Sequence, residues 1–126
     1  MCYDTALVLK PDYFDVLFRK GLLLSHLGKY SDAIIFYDDA LKINPDYFDA
    51  LFHKGWLLEK QNKYEEALEC FQNATSIDPK HSEAKYHKGR TLAQLGKYDE
   101  AINCYDETLK INPQHSETLF HKGLIL

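Results

Sequence analysis

Pro11, Pro45, Pro79 and Pro113 stand 34 residues apart, and so do Gly21, Gly55, Gly89 and Gly123, with nothing inserted or lost between them. Tyr30, Tyr64 and Tyr98 keep the same interval, followed by Ala33, Ala67 and Ala101, and then by Tyr37, Phe71 and Tyr105. An unbroken period of this length constrains the fold more than any composition could. One unit of roughly 34 residues cannot bury its own apolar face, so successive units must stack into a continuous array.

Within a unit the apolar spacing is helical. Leu17, Gly21 and Leu24 recur at i, i+4 and i+7, and Ala33, Tyr37, Ala40 and Leu41 repeat that rhythm further on. The pattern predicts two helices per unit. Gly28-Lys29-Tyr30, Asn62-Lys63-Tyr64 and Gly96-Lys97-Tyr98 separate them, and Gly or Asn there supplies the left-handed residue that ends a helix. So short a turn makes the pair antiparallel. Asp32, Glu65, Glu66, Asp99 and Glu100 open the second helices, where the helix dipole favours negative charge. Each second helix stops at Asn-Pro or Asp-Pro, because the residue before proline avoids helical angles.

The glycines carry a mechanical implication. Inside a helix each costs about 1 kcal/mol relative to alanine, so four at one register imply close approach of a neighbouring helix. Gly21 and its equivalents are expected to settle against Ala33, Ala67 and Ala101 of the paired helix. By the same helical count Lys20, Lys54, Lys88 and Lys122 fall near the buried arc. Their methylenes should lie on neighbouring helices with the ammonium reaching a polar partner at the edge.

The period of 34, the Gly, the Ala-x3-aromatic spacing and the closing Pro resemble the tetratricopeptide repeat family. The resemblance covers nearly the whole chain: a partial unit over residues 1–13, full units over 14–47, 48–81 and 82–115, and a first helix alone over 116–126. It departs from the family where Trp is frequent, with Leu17, Leu51, Lys85 and Leu119, and where Leu precedes the glycine, with the four lysines. Lys85 is expected to leave the third unit less tightly packed. The resemblance implies an all-α fold, a right-handed superhelix (solenoid) of antiparallel helix pairs, whose first helices line a concave groove for a peptide or protein segment.

Chemistry of other kinds finds little support in the residues. The formal net charge of -4 and a pI near 5.8 disfavour a phosphate-binding surface, so no nucleic-acid partner is expected. No apolar run approaches the roughly 18 residues of a membrane span, and MCYDTALVLK is unlike a signal peptide, so no membrane partner and a cytoplasmic location are expected. Cys2, Cys70 and Cys104 share one register that reads as half-buried and apolar rather than as a disulfide framework. His53, His87 and His121 in LFHKG-type segments fall in successive units, separated by roughly 8 to 10 Å or more, too far for one metal with bonds of about 2 Å. They are expected to form a solvated ladder. His26, His81 and His115 offer no HxxxH or CxxC partner, Ser25 and His26 are helix neighbours that do not face each other, and no Gly-rich phosphate loop occurs. No enzyme, cofactor or metal site is therefore expected.

What remains is the groove that the resemblance implies. Carried onto this chain it presents Phe18, Phe52 and Tyr86, then Leu22, Trp56 and Arg90, flanked by Asp15, Asp49 and Glu83, with His53, Lys60 and His87 at its edge. Trp, Tyr and Arg dominate binding hot spots, which favours Trp56 and Arg90, whereas the aromatic ladder has packing between first helices as an equal alternative. Relatives that grip acidic chaperone tails carry Lys and Asn where this chain has Phe18 and Leu22, and Glu83 stands where they carry a lysine. The expected ligand is thus a neutral, aromatic-bearing or mildly basic segment. A structural spacer or self-assembly module within a larger protein is the alternative role. Both ends fall mid-unit, so a fragment of a longer array and head-to-tail self-association through uncapped ends are expected.

Overall fold

The computed structural model describes residues 13 to 125, with side chains through Leu124. Seven α-helices follow one another among the described residues: α1 (Tyr13–His26), α2 (Tyr30–Ile43), α3 (Phe48–Lys60), α4 (Tyr64–Ile77), α5 (Ser82–Gln94), α6 (Tyr98–Ile111) and α7 (Ser116–Ile125). α1 pairs with α2, α3 with α4 and α5 with α6, and each pair then packs on the next through α2 and α3, α4 and α5, and α6 and α7. The partial unit assigned to residues 1–13, including Cys2, lies almost wholly outside the described residues.

Local chemistry sets each boundary. Gly28 and Gly96 adopt φ of 79° and Asn62 takes φ of 63°, the left-handed conformation that closes a helix and frees the chain to turn back. At the other end of each pair an Asx turn precedes the next first helix. The side-chain oxygens of Asn44, Asp78 and Asn112 accept from the amides of Asp46, Lys80 and Gln114, each at 3.3 Å. The intervening proline lacks an N–H and cannot prolong the helix.

Gly21, Gly55 and Gly89 do allow close approach, but the nearest groups are the rings of Tyr37, Phe71 and Tyr105 rather than the expected Ala33, Ala67 and Ala101. A Cβ built on Gly55 would sit 2.8 Å from Phe71 Cε1, and one on Gly89 would sit 2.7 Å from Tyr105 Cε1. Tyr37, Phe71 and Tyr105, wholly buried, therefore lie flat against backbone that carries no side chain. The hydroxyls of Tyr37 and Tyr105 have no hydrogen-bond partner among the described residues, while Phe71 fills the same slot with no hydroxyl at all. Burial pushes the Tyr37 phenol up to about 12.

Lysine stems cross from unit to unit. Lys54 reaches Asp38 of the preceding second helix at 2.6 Å, and Lys122 reaches Asp106, two periods on, at the same distance. Both side chains are largely covered. Burial pulls the Lys54 ammonium down, yet the Asp38 carboxylate outweighs it and leaves the pKa raised. The series is not uniform: Gln72 stands where Lys88 would find an aspartate, and exposed Lys20 lies 5.9 Å from the Phe36 ring centroid. Lys85 joins Glu107 at 3.1 Å, so the third unit is tied by a charge where an apolar side chain is usual.

Candidate binding face

The first helices α1, α3 and α5 touch one another directly and form one face of the array. Their contacts answer what LFHKG is for. His53 packs on Phe18 with ring centroids 5.4 Å apart, His87 packs on Phe52 at 5.4 Å, and His121 packs on Tyr86 at 5.5 Å. Each imidazole thus covers an aromatic ring one unit back. The expected solvated ladder is corrected accordingly: His87 is only 8% exposed, and His53 and His121 are half-buried. A helical wheel points them away from their own hairpin, but that direction is occupied by the neighbouring first helix. Burial holds His53 below the usual imidazole range, against a weaker upward pull from Asp49.

The residues expected to line the groove separate into two groups. Phe18, Tyr86 and His87 are buried, at 7%, 1% and 8%, and join units rather than offer surface. Phe52, His53, Trp56, Leu22, Arg90, Asp15 and Glu83 are half-buried, and Asp49 and Lys60 are exposed. Phe52, His53, Trp56, His81, Glu83 and His87 come together around a hollow of about 300 Å³ with mostly apolar walls. Lys60 lies beside it, its Nζ 4.4 Å from the Trp56 ring centroid.

A polar cluster absent from the sequence expectations borders this hollow. Glu59, in the last turn of α3, is 5% exposed and accepts from Thr91 Oγ1 at 3.2 Å, with Arg90 Nε and His87 Nδ1 each 3.3 Å away. His87, Arg90 and Thr91 of α5 therefore gather round one buried carboxylate, with the Thr91 hydroxyl lying closer still to the His87 carbonyl oxygen, at 2.8 Å. Arg90, expected as a free groove residue, is engaged here. Helical counting could have found the cluster: Glu59 falls about 40° from Gly55, inside the buried arc.

Two histidines cap helices. The Nδ1 atoms of His81 and His115 accept from the amides of Ala84 and Thr118, at 3.1 and 3.2 Å. Each thereby satisfies a first-turn N–H that has no partner within its helix. His115 also finds a partner across units that its sequence context hides, because its Nε2 meets Glu83. The equivalent contact two periods earlier is Tyr47, whose hydroxyl donates to Asp15 at 2.8 Å. The Arg19 guanidinium, followed by that Tyr47 bond, holds Asp15 below the usual carboxylate range.

Glu83, His115 and Glu117 bring ligand-type atoms within 4.8 Å of one another. As arranged they suit a proton better than a metal. His115 Nδ1 accepts an amide, so the neutral ring carries its hydrogen on Nε2 and donates it to Glu83, leaving no lone pair for coordination. Cys70 and Cys104 are buried free thiols, and burial pushes Cys70 up to about 11, far from a reactive thiolate. No helix of the described residues is long and apolar enough to cross a membrane.

Two larger hollows run along the second helices α2 and α6, each with side chains of the following first helix in its wall. One, lined by Ile35, Asp38, Leu41, Lys42 and Lys54 among others, has its counterpart 68 residues on at Asn103, Asp106, Leu109, Lys110 and Lys122. Their recurrence marks them as crevices of the stacking itself. A hollow of about 360 Å³ lined by Arg90, Ala93, Gln94, Tyr105, His121 and Leu124 lies one period on, but Arg90 there and Leu22 in the preceding unit hold the register of Trp56, so it is the indole wall that does not recur.

Comparison with known proteins agrees with this architecture. A family profile described as anaphase-promoting complex, cyclosome, subunit 3 matches residues 26 to 108, and a tetratricopeptide repeat profile matches residues 2 to 35. No curated protein sequence matches the chain. Among solved structures, MamA 41-end from Desulfovibrio magneticus RS-1 is 26% identical, with a TM-score of 0.85 over 95% of this chain and 67% of its own. The first tetratricopeptide repeat domain of Spaghetti (RPAP3) bound to the HSP90 peptide SRMEEVD is 22% identical, with a TM-score of 0.88 over 92% of each chain. YrrB, described as having an unusual peptide-binding site, is 28% identical, with a TM-score of 0.80 over 87% of this chain and 57% of its own.

Proposed function

Since the chain belongs to the tetratricopeptide repeat family, a class of protein-interaction scaffolds, we propose that it binds an extended peptide or protein segment along the face of its first helices. The observation that carries this reading is the aromatic-walled hollow around Trp56. An indole left half-buried beside a half-buried Phe52, on a face where Phe18 and Tyr86 are buried between units, is a surface held ready for an apolar or aromatic anchor.

The bound-peptide neighbour takes an acidic segment, SRMEEVD. This face favours the opposite sign. Asp15, Asp49 and Glu83 run along it, and of its basic residues Arg19 and Arg90 are paired with Asp15 and Glu59 while Lys60 rests on the Trp56 ring. A neutral or mildly basic segment fits it better. Selection from a random peptide library, followed by titration of the winners, tests the proposal. Trp56→Ala should weaken binding by roughly tenfold or more, the effect of a hot-spot aromatic. Selected peptides that bind this variant unchanged, or a library that yields no binder, would remove it.

A second reading, assembly by stacking, has its own support at α7. Leu119, Phe120 and Leu124 are 52%, 64% and 67% exposed, and a Cβ on Gly123 would meet nothing within 4 Å, whereas Gly21, Gly55 and Gly89 each face a ring. A further helix carrying an aromatic side chain would fit that notch. Sedimentation of the chain should show mass rising with concentration and falling back in Leu124→Glu; a monomer throughout would count against it.

A further inference from the structure

The sign of the hollow can be taken further, to a single side chain. Phe52 is ringed by three imidazoles, with centroids of His53, His81 and His87 at 5.6, 5.7 and 5.4 Å. Trp56 completes the wall. Aromatic faces carry negative charge density, so walls of this kind attract a cation when water is displaced. The chain already shows the effect in Lys60, whose ammonium rests on the Trp56 ring yet does not line the hollow.

The one carboxylate at the hollow is Glu83. Among the described residues its ion-pair partners are His115 and His87, the latter at 4.0 Å, and neither is a permanent cation. Other acids of this face are answered by guanidinium groups: Asp15 by Arg19 at 2.9 Å and Glu59 by Arg90 at 3.3 Å. The hollow therefore has aromatic walls, a half-exposed acid, and no lysine or arginine of its own lining it.

We propose that this hollow is a subsite for a lysine side chain of the bound segment, its methylenes against Phe52 and Trp56 and its ammonium beside Glu83. The assignment rests on the peptide-binding reading above and names the ligand chemistry for it. At about 300 Å³ the hollow lies at the small end of ligand sites and suits one side chain. Lysine fits better than arginine. A guanidinium seeks a two-pronged carboxylate, and Glu83 Oε1 is already bonded to His115 Nε2, which leaves Oε2 alone, 4.0 Å from His87 Nε2, to meet a ligand. A compact ammonium needs only one free direction. His53, kept neutral by burial, serves as wall and does not repel it.

Trp56 is the sole tryptophan, so its indole N–H gives one resolved reporter in a nitrogen-15 spectrum. The 126-residue chain is titrated with Nα-acetyl-lysine methylamide, the norleucine analogue that lacks only the ammonium, and the arginine analogue. The lysine probe should shift the indole saturably at roughly tenfold lower concentration than norleucine, the scale of a cation resting on desolvated aromatics. Glu83→Gln should narrow that ratio severalfold. Equal response to lysine and norleucine overturns the subsite without need of any variant, and stronger binding of arginine overturns the lysine assignment. The two readings separate cleanly: library peptides that bind but tolerate lysine-to-norleucine exchange sink the subsite and spare the groove. A saturating lysine probe with no library binder does the reverse.

Discussion

Alanine in place of the repeated glycines should split one sequence motif into two outcomes. A Cβ at Gly21 would lie 2.4 Å from Tyr37 Cε1 and 3.2 Å from the Ala33 carbonyl oxygen; at Gly89 it would lie 2.7 Å from Tyr105 Cε1 and 3.0 Å from Cys104 Cβ. These rings are wholly buried and have nowhere to swing, so the added carbon must push helices apart. Overpacking of a filled core costs about 1 to 3 kcal/mol. Set against it is the gain from replacing a helical glycine, at most about 1 kcal/mol. Gly21→Ala, Gly55→Ala and Gly89→Ala should therefore lose roughly 1 to 2 kcal/mol. At Gly123 the added carbon meets nothing within 4 Å, so only the propensity gain remains, reduced to roughly 0.5 kcal/mol by its place in the last turn of α7. Urea unfolding followed by helical circular dichroism reads the shift in midpoint at constant slope. None of these four glycines has positive φ, so backbone freedom predicts alanine neutral or better at all of them. A Gly55→Ala variant as stable as the parent, or Gly123→Ala as damaging as Gly55→Ala, would refute close approach as the reason for the motif.

Tyr105→Phe should raise the urea midpoint, by about 1 kcal/mol of stability, because it deletes a buried hydroxyl that has no partner and Phe71 shows the bare ring fitting the slot; Tyr37→Phe should gain less, because Ser25 stands near its hydroxyl. Glu59→Ala should cost about 2 to 3 kcal/mol in the same assay by stranding Thr91, Arg90 and His87 against α3, discounted from a fully buried pair because Arg90 is half-exposed. A loss below about 0.5 kcal/mol would show the cluster to be ornamental. His53 has a folded pKa depressed by burial, so the unfolded chain binds the proton more tightly and stability falls as pH drops through the ordinary imidazole value near 6.5. His53→Gln should lose part of the stability difference between pH 8 and pH 5.5, and an unchanged difference would contradict the burial.

How far these features could be read from the sequence depends on which contact makes them. Contacts inside one unit were legible. Gly28, Asn62 and Gly96 announced the turns, and the glycine register announced a tight partner. Contacts between units were not. A helical wheel ranks His87 as exposed because it measures angle only from the hairpin that carries it, and the ring that covers His87 is Phe52, 35 residues earlier. The same omission made Phe18 and Tyr86 look like groove and hid the tie from His115 to Glu83. The rotation from one unit to the next decides these contacts, and no single helix encodes it.

That rotation also explains where the face becomes individual. Positions whose side chains bridge units must suit both neighbours, which is why an aromatic followed by His recurs at Phe52-His53, Tyr86-His87 and Phe120-His121. Positions that bridge nothing are free to vary, and the register of Leu22, Trp56 and Arg90 does, as does that of Ser25, Glu59 and Ala93. Two of these variable residues, Glu59 and Arg90, found each other across units and closed that stretch of the face with a buried ion pair. Trp56 found no such partner on its open side, and the acid that lines its hollow, Glu83, was left with imidazoles. In an array whose period assigns almost every side chain to stacking, a residue that breaks the period and stays half-exposed has been excused from holding the fold. It is therefore the first place to look for what the fold holds.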